Sequence, residues 1–394
     1  MKTKKQKFEL LAPAGDFESL VTAITAGADA VYFGLKEFNM RARAKNFKIS
    51  DLPDIKNIAG RVKKYLTLNT IIYDSELEKI EKIIKKARRF VDAIICSDIA
   101  VMMLCKRYKI PFHISTQCSV SNIKAARFYK KLGAKRIVLA RELNLKQIKK
   151  ISRIIDIEIF IHGAMCISVS GRCLTSQFLF NESANKGKCL QPCRRYYTIK
   201  DKENNELIID NHHVLSPKDI CTLPFFEKLK KSGVRAFKIE GRNKEPEYID
   251  AVVRVYRKAI DKKLTKKEIK ECLEELKKVY TKGFSSGFYL GLPTSDDFSL
   301  VEHSSATQSK QFIGKITHYY PKIGVGLLHV STGSLKINDE IFIMGKTTGL
   351  IKTKINSMQI EHKPVDKVSK GQDVGIQVPL CRKNDEVYKV IKKN

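Results

Sequence analysis

The sequence predicts a TIM-type (β/α)8 barrel, with a cysteine-rich insertion before the last strand and a small all-β barrel behind it. Three observations predict this. Eight short β-branched or aromatic runs alternate with helix-compatible stretches over residues 1–283. The gap before the eighth run is about three times the usual spacing of such a unit. From residue 311 onward the helical pattern gives way to strands and turns. Alternation of this kind builds a parallel sheet, and a count of eight favours a closed barrel over an open doubly wound sheet.

The strands read in order as "FELLAP" (8–13), "AVYFGL" (30–35), "YLTLNT" (65–70), "AIICSD" (93–98), "PFHIST" (111–116), "RIVLAR" (136–141), "EIFIHG" (158–163) and "AFKIEGR" (236–242). Amphipathic segments such as 16–28 and 75–90 lie between them, and Gly27, Gly133 and Gly233 supply helix stops. The insertion covers 164–235. Two further helices, 245–263 and 266–280, lead into a stretch rich in Gly, Ser and Thr, and residues 284–310 read as a linker. Six short strands in 311–394 make the second domain, an all-β barrel.

A chain of 394 residues with 43% hydrophobic and 29% charged residues is ordinary for a soluble globular protein. Its apolar runs, of which 93–104 is among the longest, are too short and interrupted for a bilayer span. The basic N-terminus lacks the apolar core of a signal peptide, so the expected location is the cytoplasm. The net charge of +32 is the footprint of a polyanion binder, although the Lys-rich composition throughout is a competing explanation. RNA is the leading partner and an anionic membrane surface the second. Only "CRRYY" (193–197) joins arginines to aromatics beside a candidate reaction centre.

In a reducing compartment a tight cysteine cluster signals metal binding or redox chemistry rather than disulfides. Of ten cysteines, Cys166, Cys173, Cys189 and Cys193 follow the spacing C-x6-C-x15-C-x3-C. Four thiolates suit a structural zinc or an iron–sulfur cluster, and the spacing leaves both open. Cys221 is a possible spare ligand. The C-terminal ends of barrel strands carry the chemistry of this fold, which selects Asn69, Gln117, Arg141, His162, Glu240 and Arg242. His162 is a candidate acid–base group or a half-buried histidine, and Glu158 a catalytic or a structural carboxylate. Arg41 and Arg43 suit an anionic metabolite or a phosphate.

Taken together, "EIFIHGAMCISVSGRCLTS" (158–176), "NKGKCLQPCR" (185–194), "SPKDICTL" (216–223) and "FKIEGR" (237–242) resemble peptidase family U32, the collagenase-like proteases. The segments 9–35 and 113–122 are similar to it as well, and the C-terminal part resembles domain 2 of translation elongation factors. The resemblance implies a 4Fe–4S cluster on Cys166, Cys173, Cys189 and Cys193. It implies oxygen-independent hydroxylation of the tRNA wobble uridine to 5-hydroxyuridine, with prephenate or another small anionic metabolite, tRNA and a second subunit of the same family as partners. On that expectation His162, Glu158, Glu240 and Arg242 are catalytic, while Arg41, Arg43, Asn69, Gln117, Arg141 and Tyr196 bind substrate. Arg195 stands where relatives often carry an aromatic residue, leaving base stacking to Tyr196 or Tyr197. Two rival readings are a peptidase, with Cys118 near His113 as nucleophile and base, and a non-catalytic RNA-binding protein with a structural metal.

Overall fold

The computed structural model describes residues 8–207, 215–301 and 303–393, so the basic start at 1–7 and part of the insertion at 208–214 lie outside it. Eight parallel strands form a closed ring: β1 (Glu9–Pro13), β2 (Ala30–Gly34), β3 (Lys63–Leu68), β4 (Ala93–Cys96), β5 (Phe112–Ile114), β6 (Arg136–Val138), β7 (Asp156–Gly163) and β8 (Ala236–Ile239). Each pairs with its successor, and β8 closes onto β1 from Glu9↔Ala236 to Leu11↔Lys238. Helices α1 (Phe17–Thr25), α2 (Leu52–Ala59), α3 (Leu77–Ala87), α4 (Ile99–Arg107), α5 (Ile123–Leu132) and α6 (Leu145–Ile151) fill the crossovers. Asp16, Asp98, Asn122 and Asn144 start four of them by accepting a backbone N–H, as N-caps do. The insertion holds α7 (Thr175–Phe180), and α8 (Phe226–Lys230), α9 (Pro246–Asp261) and α10 (Lys266–Lys278) complete the layer.

Outward-facing strand residues pack on the helices, and the alternate residues fill the ring. Leu11, Ala30, Tyr32, Tyr65, Ala93 and Ile95 form a buried cluster of their own inside it. Toward the strand N-termini the interior is ionic. Glu158, fully buried, accepts from Lys238 Nζ at 2.9 Å and Arg136 Nη1 at 3.3 Å, while Glu9 accepts from Arg136 Nη1 at 2.5 Å and Tyr65 Oη at 3.0 Å. Glu158 is therefore a structural carboxylate in the barrel interior, and it lies off the cavity at the C-terminal ends of the strands. Its candidacy as a catalytic group is corrected on that ground.

The stretch 284–299, expected as part of a linker, is packed instead. Phe284–Ser285 pairs in parallel with the short strand Asp219–Cys221, which itself runs antiparallel to β7. Tyr289 donates its hydroxyl to the Phe160 carbonyl at 2.5 Å, and Ser299 N–H donates to Ser216 O at 2.7 Å. These contacts fasten the stem of the insertion to the barrel. The second domain begins at Gln308, three residues earlier than the pattern indicates, with the long strand Gln308–Tyr320. Its eight-stranded antiparallel sheet wraps a separate core that includes Ile313, Leu328, Ile341, Val374 and Val387. It docks on the first domain through Lys352–Asp250 at 2.8 Å and Lys310–Glu247 at 3.0 Å. Among the described residues no helix is long and apolar enough to cross a membrane.

Replacing Glu158 by Gln leaves Lys238 buried without its counter-charge, and breaking such a pair costs about 3–5 kcal/mol. We expect Glu158→Gln to lower the unfolding free energy by that amount in a urea titration. Wild-type stability in the variant would contradict the structural assignment.

Candidate active site at the barrel mouth

A cavity of about 500 Å³ opens at the C-terminal ends of the strands. One wall is strand-borne. Alternation along β8 and its continuation turns Lys238, Glu240 and Arg242 inward together, and Tyr32, Thr67, Asn69, Ser115, Gln117, Arg141 and Phe160 join them. Glu240 accepts from Arg41 Nη2 at 2.8 Å and Nε at 3.1 Å, with Arg141 Nη2 at 3.8 Å. Burial pushes its carboxyl up, but Arg41, Arg141 and Arg242 outweigh that, and it stays ionised below the ordinary carboxylate range. Arg242 donates to Thr67 Oγ1 at 3.0 Å, and burial lowers its guanidinium to about 10. Gly34 makes room for it, since a Cβ there would sit 2.3 Å from Arg242 Nη1. Arg141 lies 3.9 Å over the Phe160 ring and donates to Ala164 O at 2.8 Å. Asn69 reaches Ser115 Oγ at 3.1 Å and Gln117 Oε1 at 3.4 Å. Arg43 lines the rim and is exposed.

The insertion supplies the opposite wall. Gly163, at φ +103°, turns the chain off β7, where a Cβ would fall 2.5 Å from Glu240 O. Cys166, Cys173, Cys189 and Cys193 all line this wall as free thiols. Arg194 holds the loop down through Met165 O at 2.6 Å and Pro217 O at 2.5 Å, and Ala42 N–H donates to Gly187 O at 3.0 Å. Gln191 N–H donates to Cys189 Sγ at 3.3 Å. Burial, reinforced by the other three sulfurs and opposed by Arg194, pushes the Cys193 thiol up to about 11.

The donor set and its shape bear on what this wall can hold. Among the described residues no three His, Cys, Asp or Glu side chains stand close enough together to hold a single metal ion as they are. A four-iron cluster spreads its thiolates more widely. Four cysteines on one wall, an N–H aimed at a sulfur and an adjacent arginine to offset thiolate charge suit such a group.

Two further expectations change. The register slips between β7 and β8, from Lys238↔Phe160 to Ile239↔His162, and this bulge rotates His162 out of the barrel. It packs against Tyr248, Tyr256 and Phe284, with Nδ1 3.4 Å from Tyr256 Oη. Burial alone lowers its imidazole to about 3. It is a core histidine, not a group of the cavity. Tyr196 is exposed and lies off the cavity lining, whereas Tyr197 lines it and donates to Pro192 O at 2.8 Å. Cys221 is buried beside Tyr256 Oη and lies off the cavity wall. Lys238, Tyr32 and Thr67 escaped the sequence reading, although the alternating charges of "FKIEGR" already put Lys238 on the face of Glu240 and Arg242.

The sequence pattern of peptidase family U32 matches residues 15–298. A collagenase of Porphyromonas gingivalis is 42% identical over 98% of both chains. The chain belongs to peptidase family U32. Relatives within the family carry different names. A tRNA hydroxylation protein of Bacillus subtilis is 36% identical over 80% of this chain and 78% of its own. A 23S rRNA 5-hydroxycytidine synthase of Escherichia coli is 40% identical over 66% of this chain and 40% of its own. In this U32 protein Cys118 and His113 do not form a dyad. The Cys118 thiol contacts Ser97 O at 3.4 Å and burial pushes it up to about 11, while His113 lies in the barrel interior against Tyr65.

His162 is neutral when folded, and the unfolded chain takes up a proton below its ordinary value of about 6.5. Its contribution is therefore complete above about pH 6.5 and is lost as pH falls toward 3. Replacing His162 by Gln is expected to flatten the stability profile between those limits by about 1.4 kcal/mol per pH unit. Equilibrium unfolding at several pH values measures it, and an unchanged slope would argue for an accessible histidine.

Proposed function

We propose that this protein is an RNA hydroxylase that oxidises a pyrimidine at C5, with the tRNA wobble uridine as substrate, a 4Fe–4S cluster as cofactor and a small anionic metabolite of the prephenate class as co-substrate. The observation that carries the reading is one cavity with two unlike walls: cations in excess of carboxylate on one, four free thiols on the other. Family relatives named for tRNA hydroxylation and rRNA hydroxycytidine synthesis support it.

Each residue has a role that follows from its contacts. A pyrimidine C5 is out of reach inside a stacked loop, so the base must be extruded into the cavity. Asn69, Ser115 and Gln117, already hydrogen-bonded to one another, offer donors and acceptors to the base edge. Arg141 and Arg242 meet the carboxylates of the metabolite, and Arg41 does so by sharing its fork with Glu240. Lys238 closes the floor. Tyr197 supplies a ring to the insertion wall. Cys166, Cys173, Cys189 and Cys193 would hold the cluster, which when bound supplies electron transfer or activation of the oxygen donor.

The peptidase reading meets a chemical obstacle. Among the described residues lining the cavity there is no histidine, and the one carboxylate, Glu240, is engaged by arginines. Lys238, the remaining candidate base, is held by Glu158 at 2.9 Å.

Anaerobically purified protein is expected to carry about four irons and four sulfides per chain with a visible absorption band, and each Cys→Ser change at the four positions to lower the iron content. Nucleoside mass spectrometry of tRNA from a strain lacking the gene is expected to show loss of 5-hydroxyuridine, restored by the wild-type gene and not by Arg242→Ala. Unchanged wobble uridine in that strain would remove the function.

A further inference from the structure

Exposed apolar side chains are concentrated on the insertion. Seven of the eighteen large hydrophobic residues found exposed among the described residues fall between Ile167 and Leu215, far more than that share of the chain would hold by chance. Phe178 is the most exposed of these seven, at 83%, with Leu174, the N-cap residue of α7, at 54% four positions before it. A phenylalanine that exposed adds nothing to the core, and a clustered apolar surface of this sort marks an interaction site. The patch is continuous with the cavity, because Leu174, Ile167, Val169 and Arg172 line the wall that carries the thiols.

The charge around it selects the partner. Residues 164–197 contain Arg172, Lys186, Lys188, Arg194 and Arg195 against a single carboxylate, Glu182. Arg195 stands 4.5 Å over the Phe180 ring at the end of α7, so a guanidinium is held beside the patch. A second copy of the chain, itself at +32, would be repelled. Aromatic and apolar faces interleaved with cations are what single-stranded nucleic acid binds, by stacking bases and pairing phosphates.

We propose that the outer face of α7, Leu174 and Phe178 with Arg172 and Arg195 beside them, is the platform on which the nucleobases adjacent to the extruded one stack. The inference rests on the RNA-hydroxylase reading and adds to it the surface that holds the loop. It gives the insertion two faces, one toward the cavity and one toward the RNA.

The test is fluorescence anisotropy of a labelled anticodon stem-loop with the anaerobically purified, cluster-loaded protein, over a series of salt concentrations. Phe178→Ala is expected to weaken binding about tenfold with an unchanged melting temperature and an unchanged slope of log affinity on log salt, because no phosphate contact is lost. Phe178→Trp should retain affinity, which a purely structural role would not predict. The double change Arg172→Ala with Arg195→Ala should reduce the salt slope by about 0.7 for each phosphate contact removed. Wild-type affinity in Phe178→Ala overturns the platform while leaving the hydroxylase intact. The same result with loss of a crosslink to an acidic protein would reassign the face to a protein partner. Absence of salt-dependent RNA affinity in the wild type would sink the function itself, and the platform with it.

Discussion

The pairing of Glu158 with Lys238 and Arg136 is the constraint on which the site depends. A closed barrel gives inward-facing charges no access to water at its centre, so each must find an opposite charge within reach. The lower interior meets this condition, with Glu9 and Glu158 facing Arg136 and Lys238. Lys238 belongs to both layers: its ammonium is bound to Glu158 below, while the side chain forms part of the cavity lining. The position of the cavity floor is thereby set by an ion pair rather than by apolar packing.

Above that floor the balance fails. Arg41, Arg141 and Arg242 share one carboxylate, Glu240, which leaves an excess of positive charge in a recess sheltered from solvent. The lowered value of Arg242 expresses the cost of keeping it charged there. An anion entering the recess relieves that cost, and the guanidinium fork pairs bidentately with a carboxylate or a phosphate. On the facing wall Arg194 favours the charged form of Cys193, but burial outweighs it.

The barrel was legible because each strand combines β-branched residues with a period of two and is closed by a helix stop, signals that survive without knowledge of tertiary contacts. The four cysteines and the charged ends of the strands were legible for the same reason, being local in sequence. What failed was nonlocal. The orientation of His162 depends on a bulge defined only by its pairing with Ile239, so counting alternation from Glu158 assigns it to the wrong face. The packed stretch 284–299 has the composition of a linker, and what orders it is a two-residue strand and the Tyr289 hydroxyl reaching Phe160 O. Tyr196 and Tyr197 are indistinguishable by type, and only the turn after Pro192 decides which ring meets the cavity.

The bulge at β7 has a consequence beyond one histidine. By turning His162 outward it removes the only imidazole that strand parity would have put in the cavity, and the described lining is left with cations, amides, hydroxyls, thiols and a single arginine-bound carboxylate. Such a set binds anions and thiophilic metals well and moves protons poorly near neutral pH. Hydrolysis by an activated nucleophile needs a proton acceptor at the reacting atom, whereas an oxidation centred on a cluster needs electrons delivered and charge held in place. One extra residue in one strand thus takes His162 out of the set of groups that line the cavity.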